Sequence, residues 1–307
     1  MKKILIIITI VIAILLFWIS QEKTKPSSNR LDVVTTLFPL YDFAKNIGGR
    51  YANVTLLLPP GVEAHTFEPK PSDIVRINQA DIFIYTGKFM EPWAETIING
   101  TDNKKLNVVD TSQGIILIKN QHEHHHHHGN FDPHIWMDFD NAQKMVKTIA
   151  DAFVQKDPEH STDYRKNEKT YIQQLKKLDK VYRKSLSLCQ THEIVYGGHY
   201  AFGYLAKRYG LTYIAVYGLS PNAEPSAREL IKLVEQIREN HIQFIYYEEW
   251  LNPKTAQMLA RETGTKLLLL NPAHNISKEA RKQNATFISI MEDNLKNLQT
   301  GLGCKNG

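Results

Sequence analysis

An α/β architecture of two βα lobes with parallel sheets, joined by one long helix, is the fold class this sequence predicts. Three observations lead there. Short apolar, β-branched runs alternate with helical segments in the first 118 residues, and the same rhythm returns after residue 189. Between them, Tyr164, Tyr171, Leu175, Leu178, Tyr182 and Leu186 recur at helical spacing with Lys and Gln in the gaps. A helix over residues 162–188 would be about 39 Å long at the usual rise, more than one small domain needs. A strut between two lobes fits that length.

The elements follow in order. Leu31–Leu37 and Tyr51–Leu58 read as strands, the second stopped by Pro59-Pro60-Gly61, with a helix over Tyr41–Ile47 opening after Pro39. Pro71–Ala80 suits a helix that starts on proline and carries Asp73 in its first turn. Asp81–Tyr85 is a strand, Pro92–Ile98 a helix, and Leu106–Val109 and Ile115–Ile118 are short strands. Helices over Asn141–Val154 and 162–188 come next. Strands at Glu193–Tyr196, Leu211–Tyr217, Gln243–Glu248 and Lys266–Leu270 then alternate with helices ending near Tyr209, Asn240 and Thr263, and Ser277–Leu298 is a closing helix. The expected divisions are 1–20 as signal peptide or N-terminal anchor, 21–30 as polar tether, 31–161 as the first lobe, 162–188 as the linking helix and 189–307 as the second lobe.

A chain of 307 residues, 42% hydrophobic and 22% charged, supports two cores. Its net charge of +5 is modest, and no basic cluster alternates with exposed aromatics, so nucleic acid is not an expected partner. Lys2-Lys3 ahead of the unbroken apolar run Ile4–Ile19 has the form of an export signal. No Ala-x-Ala site follows and no Cys lies near residue 20, so cleaved signal and uncleaved anchor both stand. Either places the rest in the periplasm or otherwise outside the cytoplasm. Cys189 and Cys304 are the two cysteines, and sequence leaves open whether they pair.

Histidine carries the chemistry. Of 13 in the chain, six fall at His122, His124, His125, His126, His127 and His128, inside a stretch at 120–130. Imidazole is the commonest protein ligand for divalent transition metals, and so dense a polar run marks metal handling rather than a packed core. His122, Glu123 and His126 also match the HExxH pattern of zinc proteases. That pattern needs a helix, and the flanks Lys119-Asn120-Gln121 and Gly129-Asn130 supply no apolar period for one. In parallel sheets, ligands bind beyond the carboxyl ends of strands. His65, His199 and His274 each follow a predicted strand, and His134 lies in the connection leaving the first lobe. His192 and His241 precede strands, and His160 lies in a polar link.

Several blocks are specific: LLPPGVEAHTFEPKPSDI, DPHIWMD, GGHYAFGYLAKRYGL, GLSPNAEPSARELIKLVEQI and YYEEWLNPKTAQMLARETG. On these the chain, from about Asp32 to near residue 300, resembles the solute-binding proteins of zinc and manganese ABC importers. The resemblance implies two βα lobes on a single long helix and metal ligands at His65, His134 and His199. A His-rich loop before the second ligand is typical of the zinc-selective branch. The family's fourth ligand is commonly an acid after the last core strand, where this chain reads Leu270-Asn271-Pro272-Ala273-His274. His274 is the expected fourth ligand, with Glu248, Asn271 or water as alternatives. The resemblance thus implies capture of Zn2+ in the cleft between the lobes, with the His run as a weaker accessory site, and delivery by a monomer to an ABC-type permease. Mn2+ is the second choice of metal. A zinc-dependent hydrolase is the rival from another class, and it would need an open coordination position beside a general base.

Overall fold

The structure is a computed structural model that describes residues 30–119, 131–219, 225–249 and 253–305. Two four-stranded parallel sheets hold the fold. β1 (Leu31–Thr35), β2 (Ala52–Leu56), β3 (Ile82–Tyr85) and β4 (Asn107–Asp110) lie in the order β2-β1-β3-β4. β5 (Glu193–Tyr196), β6 (Thr212–Ala215), β7 (Phe244–Tyr247) and β8 (Lys266–Leu269) repeat that order as β6-β5-β7-β8. Every pairing is parallel. The inner strand β3 is buried along its whole length, which its continuous run Ile-Phe-Ile-Tyr requires.

Helices α1 (Phe38–Gly48), α2 (Pro71–Gln79) and α3 (Ala94–Gly100) complete the first lobe, and α4 (Phe139–Lys156) packs back onto α1, β3 and β4. The long helix α5 covers Ser161–Leu186, 26 residues. Its buried residues are Tyr164, Tyr171, Leu175, Leu178, Tyr182 and Leu186, the apolar stripe of the sequence. Two of its tyrosines reach different lobes. Tyr171 donates to Asp42 Oδ2 in α1 at 2.6 Å, and Tyr182 donates to the Met291 carbonyl at 2.5 Å. One helix thereby anchors both halves. The second lobe adds α6 (Gly203–Tyr209), α7 (Ala227–Glu239), α8 (Lys254–Thr263), α9 (Lys278–Lys282) and α10 (Phe287–Gly301).

Two local expectations fail. Ile115–Ile118 is not a strand; beyond it, Lys119 makes a single antiparallel bridge to Phe131. The closing helix is two pieces, because Asn284 takes the left-handed conformation (φ 56°) and Thr286 then caps α10 through the Ser289 N–H. After His199 the helix starts only at Gly203. The turn before it must pass against side chains: a Cβ on Gly198 would lie 2.5 Å from the Tyr196 ring and 2.8 Å from Glu248 Oε2. Sequence left the cysteines undecided. Cys189 and Cys304 form a disulfide.

Candidate metal centre

The loops at the carboxyl ends of the strands gather four histidines. His65 reaches in after β2 and keeps some exposure, while His134, His199 and His274 are wholly buried. His134 Nε2 lies 3.1 Å from His65 Nε2 and 3.1 Å from His199 Nε2. An edge of a tetrahedral zinc–imidazole sphere, with bonds near 2.05 Å, is about 3.3 Å. The three nitrogens therefore sit at roughly the spacing of one cation's ligands.

Their tautomers are set from behind. His134 Nδ1 donates to Asp132 Oδ1 at 2.8 Å, and the His134 backbone N–H donates to the same oxygen at 2.9 Å. His199 Nδ1 donates to Glu248 Oε2 at 2.7 Å. With Nδ1 carrying the proton, each Nε2 presents a lone pair. Two lone pairs facing at 3.1 Å repel unless a proton or cation lies between them. Burial, with the neighbouring His199, His65 and His274, holds the His134 imidazole well below its ordinary value, so it stays neutral. Burial acts the same way on His199, but Glu248 outweighs it and raises that imidazole. Asp132 is pushed up to about 7 by burial, against the hydrogen bond from the His134 backbone.

His274 stands apart from the three. Its ring centroid is 5.5 Å from that of His199, and Nε2 is 3.8 Å from Glu248 Oε1. Burial, opposed by Glu248, lowers its imidazole to about 4. Neither ring nitrogen has a hydrogen-bond partner among the described residues. A buried polar atom left unpaired costs about 1–3 kcal/mol, which a ligand at this position would offset. His274 groups with His199 and Glu248 as a second set of ligand atoms, the first being His65, His134 and His199. Asn271 is spent on structure: its Oδ1 accepts from the Ala273 N–H and its own N–H donates to Asn294 Oδ1. Ala273 (φ 60°) takes a left-handed turn that few side chains tolerate, and this turn delivers His274.

The loops that carry these histidines are laced to one another. Asn275 Nδ2 donates to the carbonyls of Pro59 and Val62 at 2.8 and 2.7 Å, tying the His274 loop to the His65 loop. Trp136 Nε1 donates to the Pro272 carbonyl at 2.8 Å, tying the His134 segment to the His274 loop. Tyr204 donates to the Asp132 carbonyl at 3.1 Å, joining the His134 segment to the helix after His199. Sequence reading assigned no role to Asp132, Trp136, Tyr204 or Asn275. Asp132 was open to recognition, since an acid two residues before a candidate ligand histidine within DPH is placed to orient it. Asn275 and Trp136 bridge residues far apart in the chain, and no local pattern marks them. His160 is structural: it stacks on Tyr51 and its Nδ1 is 2.7 Å from Asp157 Oδ2. His122, Glu123 and His124–His128, with the HExxH match, lie outside the described residues.

Two parallel-sheet lobes on one linking helix, with strand-end histidines gathered between them, define a two-lobed metal-receptor fold. The chain belongs to the family described as zinc-uptake complex component A periplasmic, whose family model matches residues 33–301. It is similar to the high-affinity zinc uptake system protein ZnuA of Bacillus subtilis (strain 168), 40% identical over 298 residues and 93% of each chain. It is also similar to the zinc-binding lipoprotein AdcA of Streptococcus pneumoniae (strain ATCC BAA-255 / R6), 36% identical over 307 residues. That match takes in 97% of this chain but spans 61% of the length of the pneumococcal protein. Among solved structures, the Zn(II)-bound ZnuA-like domain of Streptococcus pneumoniae AdcA superposes with a TM-score of 0.77 at 37% identity, covering 89% of this chain and 99% of that one. The metal-dependent lipoprotein YcdH from Bacillus subtilis gives 0.78 at 39% identity, with the same coverage. Among the described residues, no helix is long and apolar enough to cross a membrane.

Proposed function

We propose that this protein is an extracytoplasmic receptor, exported by its N-terminal apolar segment, that captures Zn2+ and delivers it as a monomer to an ABC-type permease. His65, His134 and His199 bind the ion, and His274 completes the sphere. One observation carries this reading: His134 Nε2 lies 3.1 Å from the Nε2 atoms of both His65 and His199, while buried carboxylates hold the Nδ1 protons of two of those rings. Four nitrogen donors favour zinc over manganese, which prefers oxygen. The family membership and the relatives named for zinc support the same choice. A hydrolase would need a free base beside a metal-bound water. Asp132 and Glu248 each already hold a histidine Nδ1 proton, and membership of a zinc-uptake family weighs against that reading.

The direct test is competition against a chromophoric chelator, which should return one tight zinc per chain. Deleting residues 122–128 should leave that zinc in place and remove only weaker additional ions. Loss of the tight site on deletion would move the assignment from the cleft to the His run.

A pH dependence follows with a defined sign. His134 and His274 are already neutral near pH 7, because burial lowers both. Protons compete with zinc chiefly at His199, whose imidazole Glu248 raises above its ordinary value. Affinity should fall as pH drops through the raised His199 range, with fewer protons released per zinc than four freely titrating imidazoles would release. Calorimetry in buffers of different ionisation enthalpy counts those protons directly.

A further inference from the structure

Away from the histidines, one guanidinium ties together three parts of the fold. Arg208, at the end of α6 in the second lobe, has a side chain only 8% exposed. Its Nε and Nη2 donate to Asp179 Oδ1 and Oδ2 of the linking helix, both at 2.8 Å, as a planar two-point fork. Its Nη1 donates to Asp138 Oδ1 and Oδ2 at 3.1 and 3.2 Å and lies 2.9 Å from Asp140 Oδ2. Asp138 is also the N-cap of α4, accepting from the N–H groups of Asp140 and Asn141. Tyr209 adds a hydrogen bond to Asp179 Oδ1 at 2.7 Å.

The sequence positions of these groups give the cluster its meaning. Asp138 stands four residues after His134, across the buried single turn Ile135–Met137. Arg208 closes the helix that follows His199. The linking helix is their common reference. The ion cluster ties both segments to it.

We propose that Arg208 is a positioning residue that holds the His134–His199 separation at the short spacing Zn2+ requires, and so sets the selectivity of the site against larger divalent ions. The proposal rests on the zinc-site reading above. A larger soft ion such as Cd2+ forms longer bonds to nitrogen and needs a wider set of ligands. A clamp that resists widening penalises it, and a released clamp lets the loops spread. General loss of stability would weaken both ions alike, whereas loss of spacing narrows the gap between them.

The test measures Zn2+ and Cd2+ affinities by chelator competition for the wild-type chain, Arg208→Gln and Asp179→Asn. The expected result is a fall in zinc affinity of about tenfold in Arg208→Gln, with cadmium affinity changed less than about threefold. Asp179→Asn leaves Arg208 and both ligand loops intact and should shift the ratio in the same direction. It carries the test if Arg208→Gln fails to fold. Cobalt loading gives a second readout, since a tetrahedral Co2+ site absorbs visible light strongly and a loosened one less so. An unchanged zinc-to-cadmium ratio and cobalt spectrum in a folded variant would overturn the proposal. Failure of the wild-type chain to bind one tight zinc would instead strike the site reading itself.

Discussion

Replacing His134 by alanine should lower zinc affinity by two to three orders of magnitude. Structural zinc sites of four ligands are worth about 10–16 kcal/mol, so one ligand accounts for roughly 3–4 kcal/mol, and each 1.4 kcal/mol is a factor of ten. His134 is the centre of the set, with its Nε2 at 3.1 Å from both His65 and His199. Its removal also strands Asp132, which is 1% exposed and would lose its imidazole partner. Because a ligand stabilises the folded state by RT ln(1 + [L]/Kd), the rise in Tm on adding zinc should largely vanish in the variant. Chelator competition and a thermal scan with and without zinc check both parts. The decisive form is the triple variant His65→Ala, His134→Ala, His199→Ala with residues 122–128 deleted. If that protein still binds one zinc as tightly as the parent, the cleft is not the site.

The second large effect concerns stability. Cys189 and Cys304 are 115 residues apart in sequence, and closing so long a loop stabilises the folded state by about 5 kcal/mol in the chain-entropy treatment. A domain is stable by only about 5–15 kcal/mol, so loss of this bond is a large fraction of the whole. The bond pins the segment after the linking helix to the end of α10, where Gln190 N–H donates to the Leu302 carbonyl and Lys305 N–H to that of Leu188. Cys304→Ser should therefore unfold at much lower denaturant while keeping zinc affinity, since the histidine loops are held by other contacts. Equilibrium denaturation of the two proteins measures the difference. A loss below about 1 kcal/mol would show that backbone contacts alone hold this junction.

The expected pH dependence and the Arg208 proposal share a physical origin with the His134 prediction. In the proposed site, buried carboxylates behind the rings set how His134 and His199 present their Nε2 atoms. On that reading Asp132, Glu248 and the Arg208 cluster tune a site whose bonds the imidazoles would supply.

The βα alternation, the length of α5 and its six buried residues were all legible in the sequence, because hydrophobic period is a local property that each segment carries alone. The strand-end rule selected His65, His134, His199 and His274 for the same reason: it needs only element order and direction. What failed locally was also local in cause, as at Asn284, where a left-handed residue splits the last helix. Three features were decided by tertiary structure. The spacing of the three Nε2 atoms depends on two lobes meeting at a fixed distance. The partners of His134 and His199 depend on loops packing to exclude water, which turns Asp132 and Glu248 into orienting groups. The pairing of Cys189 with Cys304 depends on where two distant helices end. Composition and period encode which face of a segment is buried, but they carry no record of which distant residue meets it. That is set only when the chain closes on itself and every buried donor must find an acceptor.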